Sequence, residues 1–195
     1  MNMLRGLYDW TMRMAAHPRA PLFLFLVAFI ESSFFPVPPH AMLVPMVLAA
    51  RQNAWWLAGL TTIGSVLGGL AGYAIGYFLY ESVGQWVLDA YGYADKFASF
   101  AAQYNDYGAW IVFFAGVTPF PYKVITIASG VTRLDIWVFL FASVIARALV
   151  FFAIAALLYW FGPPIRRFIE ERLGLVATVF TILLFGGFAA IRVFV

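Results

Sequence analysis

Hydrophobic residues run along this chain in long blocks, and polar residues gather between the blocks. Residues 54–80 form one such block, opening on Trp55 and Trp56 and closing on Tyr80, aromatics suited to two headgroup levels. As a helix this block is about 40 Å long, so it crosses a hydrocarbon core of about 30 Å with tilt or protruding ends. Residues 134–161 predict a second full span and residues 174–194 a last one. At the start, Leu4, Leu7, Tyr8 and Met12 share one face opposite Arg5, Asp9 and Arg13, the pattern of a short helix lying in the interface. Arg13 and Arg19 precede an apolar run as in a signal peptide, but no convincing small-residue cleavage site follows, so the segment is read as part of the mature protein. Residues 81–107 are mixed and predict amphipathic helix outside the core, and "GPPIRRFIEERLG" at 162–174 reads as a charged connector.

Two apolar blocks do not fit as plain spans. Residues 21–50 contain Pro36, Pro38, Pro39 and Pro45, and residues 108–131 contain Pro119 and Pro121. Proline ends or kinks a helix, so each block divides into halves of roughly 15–20 Å. Half a bilayer core is about 15 Å, and each half reaches the midplane and no further. "FFPVPPH" and "VTPFPYK" share a Pro-x-Pro, and Pro36 and Pro38 are each 83 residues before Pro119 and Pro121. Each motif is followed by a short apolar stretch, a basic residue (Arg51, Arg133) and a long span. The order predicts an internal repeat of a Pro-broken segment plus a transmembrane helix, the sequence pattern that points to a transporter's binding site.

The expectation is therefore an all-α integral membrane protein of one domain, residues 1–195. An interfacial helix (1–19) precedes repeat 1 (20–80), a connector outside the membrane (81–107), repeat 2 (108–161), and a connector with the last transmembrane helix (162–195). With both broken segments re-entrant, tips at Pro36, Pro38, Pro39 and at Pro119, Pro121, the repeats are inverted. With both crossing, they are parallel. The re-entrant arrangement, N-terminus inside, puts Arg5, Arg13, Arg19, Arg51, Arg166, Arg167 and Arg172 in the cytoplasm against Lys96, Arg133 and Arg192 outside. Crossing merely exchanges Lys96 for Arg51, so the positive-inside rule supports a cytoplasmic N-terminus without choosing between the two. The proline pairs sit near the middle of each segment, which favours re-entry.

Composition agrees and narrows the chemistry. The chain is 64% hydrophobic and 11% charged, against about a quarter charged in soluble domains. Its net charge of +3 comes from residues near the ends of apolar blocks, an orientation signal rather than a nucleic-acid surface. It contains no cysteine and two distant histidines, which leaves no disulfide, no metal-ligand spacing and no implied cofactor. No nucleophile–base arrangement or phosphate-cradling glycine loop is present, so an enzyme is the least favoured class.

The ionisable residues inside the apolar blocks are the candidate site. Glu31 at mid-depth costs about 2.5 kcal/mol or more unless paired, protonated or facing water. It is either a proton carrier or a structural carboxylate paired with a buried arginine. Lys123 directly follows the second Pro-x-Pro, where half-helix ends beside an ammonium would make an anion site; the competing reading is a lysine snorkelling to the interface. Arg147, mid-span in 134–161, must face the interior and pair with Glu31 or with a ligand phosphate. His40 and Tyr122 are polar residues beside the two turns, and Thr118, Thr126 and Ser129 line a cavity or pack between helices. Gly64, Gly68, Gly72 and Gly76 recur every fourth residue, drifting about 40° per step, and leave a smooth stripe for close packing, against a broken segment or a second protomer.

"ESSFFPVPP", "FFAGVTPFPYKVITIASG" and "SVIARALVFFAIAALLYWFG" together resemble the DedA superfamily, also called VTT or SNARE-associated, and within it the YqaA-like branch. The resemblance covers roughly residues 20–165. It implies two opposed re-entrant loops, movement of lipids such as undecaprenyl phosphate or phospholipids across the inner membrane, and proton-dependent membrane homeostasis. Glu31 matches the family's membrane-embedded glutamate. His40 stands where many members carry an acidic residue. The second motif usually has two arginines; Lys123 stands near the second, and the first is missing around Gly116 or Val117.

Three functions follow as expectations: a translocase for lipids with anionic headgroups, with protons as an allowed partner and a homo-oligomer as an allowed assembly; a proton-coupled transporter of small ions or solutes; and a scaffold that transports nothing. The topology has its own test. With the chain's cysteine-free background, Ser99→Cys should react with an impermeant thiol reagent from outside the cell, and labelling from the cytoplasmic side alone would rule out the re-entrant arrangement.

Overall fold

The computed structural model describes residues 15, 17–35, 38–118 and 120–171, with side chains through Pro164. Most of the expected interfacial helix, the last span at 174–194, and Pro36 and Pro119 lie outside these residues. The described chain is helical, with no strand among the described residues. Helix α1 (Ala20–Ser33) and α2 (His40–Ala49) flank the first proline cluster. A 3-10 turn (Arg51–Asn53) leads into α3 (Ala54–Leu79), followed by one π turn (Tyr80–Gly84), α4 (Gln85–Ala90) and α5 (Ala94–Asp106). Helices α6 (Gly108–Val117) and α7 (Tyr122–Val131) flank the second proline pair, and α8 (Ile136–Glu171) is the longest element. Two stretches, Arg51–Ala90 and Ile136–Pro164, are long and apolar enough to cross a membrane, whereas α1, α2, α6 and α7 are apolar but short.

Local chemistry sets the boundaries. Pro21 sits in the first turn of α1, where its missing N–H costs nothing. Helix α7 ends in a left-handed residue, Arg133 (φ 56°). The Leu134 N–H donates to the Ser129 carbonyl (2.9 Å) and the Arg133 N–H to the Gly130 carbonyl (3.1 Å), the paired bonds of a Schellman end. The unfavourable backbone of Arg133 is offset by its side chain, which pairs with Glu81 (3.0 Å) and lies over the rings of Tyr77 and Tyr80. Asp135 opens α8, its Oδ1 accepting from the N–H groups of Trp137 (2.8 Å) and Val138 (3.0 Å).

Two expected boundaries are corrected. The block at 54–80 does not stop at Tyr80. Residues 81–90 contain no proline, and the helix passes through the π turn to Ala90, so the connector begins as a continuation of the span. The block at 134–161 does not stop before the charged connector either; α8 runs through Pro163 and Pro164 to Glu171. Proline 163 leaves the carbonyl of Tyr159 without its usual i+4 donor. Arg51 supplies that donor: its Nη2 bonds the Tyr159 carbonyl, and its guanidinium stacks on the Tyr159 ring. Gly162 leaves room for it, since a Cβ there would meet the Arg51 side chain at 3.2 Å.

Helices α3 and α8 form the centre. Trp55 stacks on Phe152 and packs against Tyr159, Gly59 faces Phe152, Ser65 meets Arg147 and Tyr73 meets Phe139, so the two run antiparallel. The glycine stripe of α3 packs against two of the short helices. A Cβ on Gly64 would come 2.7 Å from the Phe25 carbonyl oxygen, and one on Gly68 would overlap the Phe29 carbonyl. At Gly72 it would meet Thr126 and Ser32, and at Gly76 the Ile127 carbonyl. The stripe thus receives α1 along its first half and α7 along its second, as small residues allow. On α8, Gly116 of α6 touches Ala146, while His40 of α2 meets Phe151 and Arg51 meets Tyr159.

Two apolar clusters result. One joins Leu24, Leu43, Val47, Leu57, Phe151 and Leu158. The other joins Tyr104, Val112, Tyr122, Leu134 and Phe139. Outside, large side chains such as Phe23, Trp56, Ile63, Phe141, Ile145, Leu157 and Trp160 are exposed. An apolar exterior of this extent fits a lipid-facing surface.

Close packing on α3 makes its glycines unequal. Gly76→Ala should lower the thermal midpoint of the detergent-purified protein, by an overpacking cost of about 1–3 kcal/mol. Gly59→Ala, whose Cβ would meet only the Phe152 ring at 3.9 Å, should be near neutral. Equal midpoints for the two variants would contradict this packing.

Candidate functional site

The polar centre lies where the helix ends around the two proline clusters converge on α3 and α8. Glu31 stands in the last turn of α1, two residues before the helix ends. Arg147 stands on α8 near its centre, buried to 6% exposure, with Glu31 at 18%. The Arg147 Nη2 donates to Glu31 Oε2 at 3.3 Å, and its Nε donates to Ser65 Oγ on α3 at 2.6 Å. Ser65 Oγ is in turn 2.7 Å from Ser32 Oγ, and Ser32 Oγ donates to Glu31 Oε2 at 3.2 Å. One closed polar circuit therefore links α1, α3 and α8.

The guanidinium also lies over two aromatic rings. Its Cζ lies 4.9 Å from the Tyr122 ring centroid and 4.7 Å from that of Phe151. A planar, weakly hydrated cation suits contact with two rings, and a lysine ammonium does not reproduce it. Tyr122 belongs to one apolar cluster and Phe151 to the other, so Arg147 sits between them. His40, at the start of α2, completes the row with its ring 5.4 Å from Phe151.

Hydroxyls at the end of α1 and on α7 bond backbone carbonyls within and across helices. The Ser33 hydroxyl donates to the Phe29 carbonyl (2.7 Å) and to the Gly68 carbonyl (3.0 Å). The Thr126 hydroxyl of α7 donates to the Ser32 carbonyl (3.2 Å), tying the end of α1 to the beginning of α7. The Thr126 bond answers the Ser32 carbonyl, which lacks an intrahelical donor. Pro39 is buried at the start of α2, while Pro38 and Pro121 are exposed.

The structure thus brings together Glu31, His40, Tyr122 and Arg147 of the sequence-predicted set. Lys123 is half-buried beside Tyr122, and its ammonium makes no hydrogen bond or ion pair among the described residues. Thr126 and Ser129 serve as tethers, Ser129 through the Tyr104 hydroxyl at 3.0 Å. Sequence reasoning did not find Ser32 or Ser65. The available signal for Ser65 was its place beside Gly64, on the part of α3 that a neighbouring helix approaches.

A charge-bearing circuit with this burial predicts strong coupling. Removing one partner of a buried pair costs about 3–5 kcal/mol. Glu31→Gln and Arg147→Met should each lower unfolding free energy, and the double variant should lose less than the two single losses combined, by about 1–3 kcal/mol. Additive losses in a double-mutant cycle would show that the pair does not act as a unit.

The comparisons with known proteins point one way. The VTT domain matches residues 35–160, which contain all of this centre except Glu31, Ser32 and Ser33. An uncharacterised protein of Haemophilus influenzae is 36% identical over 174 residues, 87% of this chain and 90% of that protein. An uncharacterised protein of Histophilus somni is 32% identical over 162 residues, 83% of this chain and 84% of its own length. No solved structure matches the chain.

Proposed function

The chain belongs to the VTT-domain family, also called DedA or SNARE-associated, and from that premise we propose that it is a translocase moving lipids with anionic headgroups across the cell's inner membrane. The observation that carries the reading is Arg147, a cation lying over two rings and held in the interior by a carboxylate at the meeting of four broken-helix ends. Arginine matches phosphate geometry as well as it matches carboxylate. A headgroup phosphate arriving at Arg147 competes with Glu31 for the same guanidinium. A proton taken by Glu31 would release Arg147 to the phosphate, and its loss would restore the internal pair and expel the headgroup. Lys123, with no partner among the described residues, is the second cation in this reading, and His40 lies on the far side of Phe151 as a further polar group.

In the architecture that goes with this function, α1–α2 and α6–α7 are two re-entrant hairpins entering from opposite sides, related as inverted repeats, with the N-terminus cytoplasmic. Contact registers support it. Helix α1 runs alongside α3 in the same direction, through Phe25–Gly64, Phe29–Gly68 and Ser32–Gly72. Helix α2 runs with α8, through His40–Phe151 and Arg51–Tyr159. Since α3 and α8 oppose one another, α1 and α2 do too, beside the Trp55 end of α3. By the same reasoning α6 follows α8 through Gly108–Leu134 and Gly116–Ala146, and α7 follows α3 through Tyr122–Gly69 and Ile127–Gly76, towards the other end.

Reconstituted in liposomes, the protein should exchange labelled phospholipid between leaflets, with Lys123→Ala and Glu31→Gln each slowing exchange by about tenfold or more. Unchanged rates in both variants would remove these residues from transport. Flux of small ions or solutes without any lipid exchange would instead favour a solute transporter.

A further inference from the structure

A cavity of about 480 Å³ lies between the connector helices α4 and α5 and the end of α7. Its volume falls within the range of small-molecule sites, about 300–1,000 Å³. No residue of the circuit around Arg147 lines it. The sequence of α5 explains the opening. Ala94, Phe97, Ala98 and Ala101 share one face of that helix, at the i, i+3, i+4, i+7 spacing, and all four line the cavity. The alanines are too short to fill the space in front of them. Phe97 stacks instead on Tyr80 of the π turn, ring centroids 5.0 Å apart, and the two rings form an aromatic wall.

Arg133 and Asp89 are the charged side chains in the lining, and their circumstances differ. Arg133 is already matched: its Nη2 donates to Glu81 at 3.0 Å, and its guanidinium lies over the rings of Tyr77 and Tyr80. Asp89 forms no ion pair among the described residues. Lys96, on the same connector, lies over the Tyr93 ring instead, 5.2 Å from its centroid. With Arg133 and Glu81 cancelling, the cavity keeps the negative charge of Asp89. Two further features have the same sign. Val131 and Thr132 bring the C-terminal end of α7 to the cavity, the end of a helix that carries negative partial charge. The rings of Tyr80 and Phe97 attract cations through their faces.

We infer that this cavity is a binding site for an organic ammonium group, with Asp89 as the counter-ion and the wall of Tyr80 and Phe97 as the second contact. An anion would meet Asp89 and find Arg133 already engaged by Glu81. A hard metal ion asks for more than the cavity offers. Calcium and magnesium take about six or more oxygen ligands, and no group of three His, Asp or Glu side chains placed to hold a metal occurs among the described residues. A primary ammonium needs a carboxylate and neutral acceptors, and the Gln85 amide and the Thr132 hydroxyl also belong to the lining. The same ammonium is presented by a free amine and by the headgroup of an aminolipid. The assignment does not depend on what Arg147 binds.

Ligand-observed NMR titration of the full-length protein in detergent tests this, with ethanolamine, dihexanoyl phosphatidylethanolamine and dihexanoyl phosphatidic acid as probes. Asp89→Asn removes the counter-ion, and Ala98→Phe fills the cavity from α5. Both residues are exposed, so both variants should keep the wild-type Tm. Asp89→Asn should weaken binding of the aminolipid about three- to fivefold, the scale of an exposed ion pair, and Ala98→Phe should weaken it at least as much. Matching losses for ethanolamine would show that the free ammonium suffices, and losses confined to the aminolipid would assign the site to a headgroup. Phosphatidic acid, which carries the phosphate without the amine, should bind all three proteins equally. Wild-type affinity for both amines in both variants would overturn the inference, as would a wild-type protein that binds neither amine. So would an equal loss of phosphatidic acid in Asp89→Asn, because Asp89 would then not be reading the ammonium.

Discussion

A guanidinium in an apolar interior must be surrounded by partners, and the fold is arranged around that requirement at Arg147. Glu31 neutralises it, Ser65 takes its Nε, and it lies over the rings of Tyr122 and Phe151. These partners come from α1, α3, α7 and α8, so satisfying one side chain fixes the relative positions of four helices. The charge costs several kcal/mol when unpaired, which makes the arrangement of the two broken segments conditional on it.

Glycine supplies the second requirement, close approach. On α3 the stripe of Gly64, Gly68, Gly72 and Gly76 lets α1 and α7 lie nearly backbone to backbone with it. That proximity places Ser65 and Ser32 within 2.7 Å of each other. Without it the polar circuit would not close. Apolar surfaces give little driving force between helices inside a membrane, so shape and hydrogen bonds hold these contacts. Packing and polar site are two sides of one design: the small residues bring the backbones together, and the serines and threonines tie the ends that proline leaves without donors.

Much of this was legible in the residues. Length and apolarity give the spans; proline positions give the broken segments; the cost of a mid-membrane charge pairs Glu31 with Arg147; four-residue spacing of glycine gives a packing stripe. What stayed hidden depends on tertiary donors. Proline 163 reads as a helix end by local rules, yet Arg51, more than a hundred residues earlier, bonds the carbonyl it frees, and α8 continues. No local signal stops α3 at Tyr80 either; residues 81–90 contain no proline, and the helix continues to Ala90. Ser32 and Ser65 look like ordinary small residues in sequence and acquire meaning only from what lies opposite them. Lys123, which sequence reasoning ranked with Arg147, makes no such partnership among the described residues, so its part rests on the transport reading alone.

The central claim is that this buried cation serves anionic lipid headgroups. The measurement that reaches it most directly is leaflet exchange by the purified wild-type protein in liposomes, across labelled lipids that share acyl chains and differ in headgroup. The account predicts rapid exchange of lipids bearing a phosphate and exchange at the protein-free rate for a neutral glycolipid of the same chain length. Equal acceleration of charged and neutral lipids, or none for either, would contradict it.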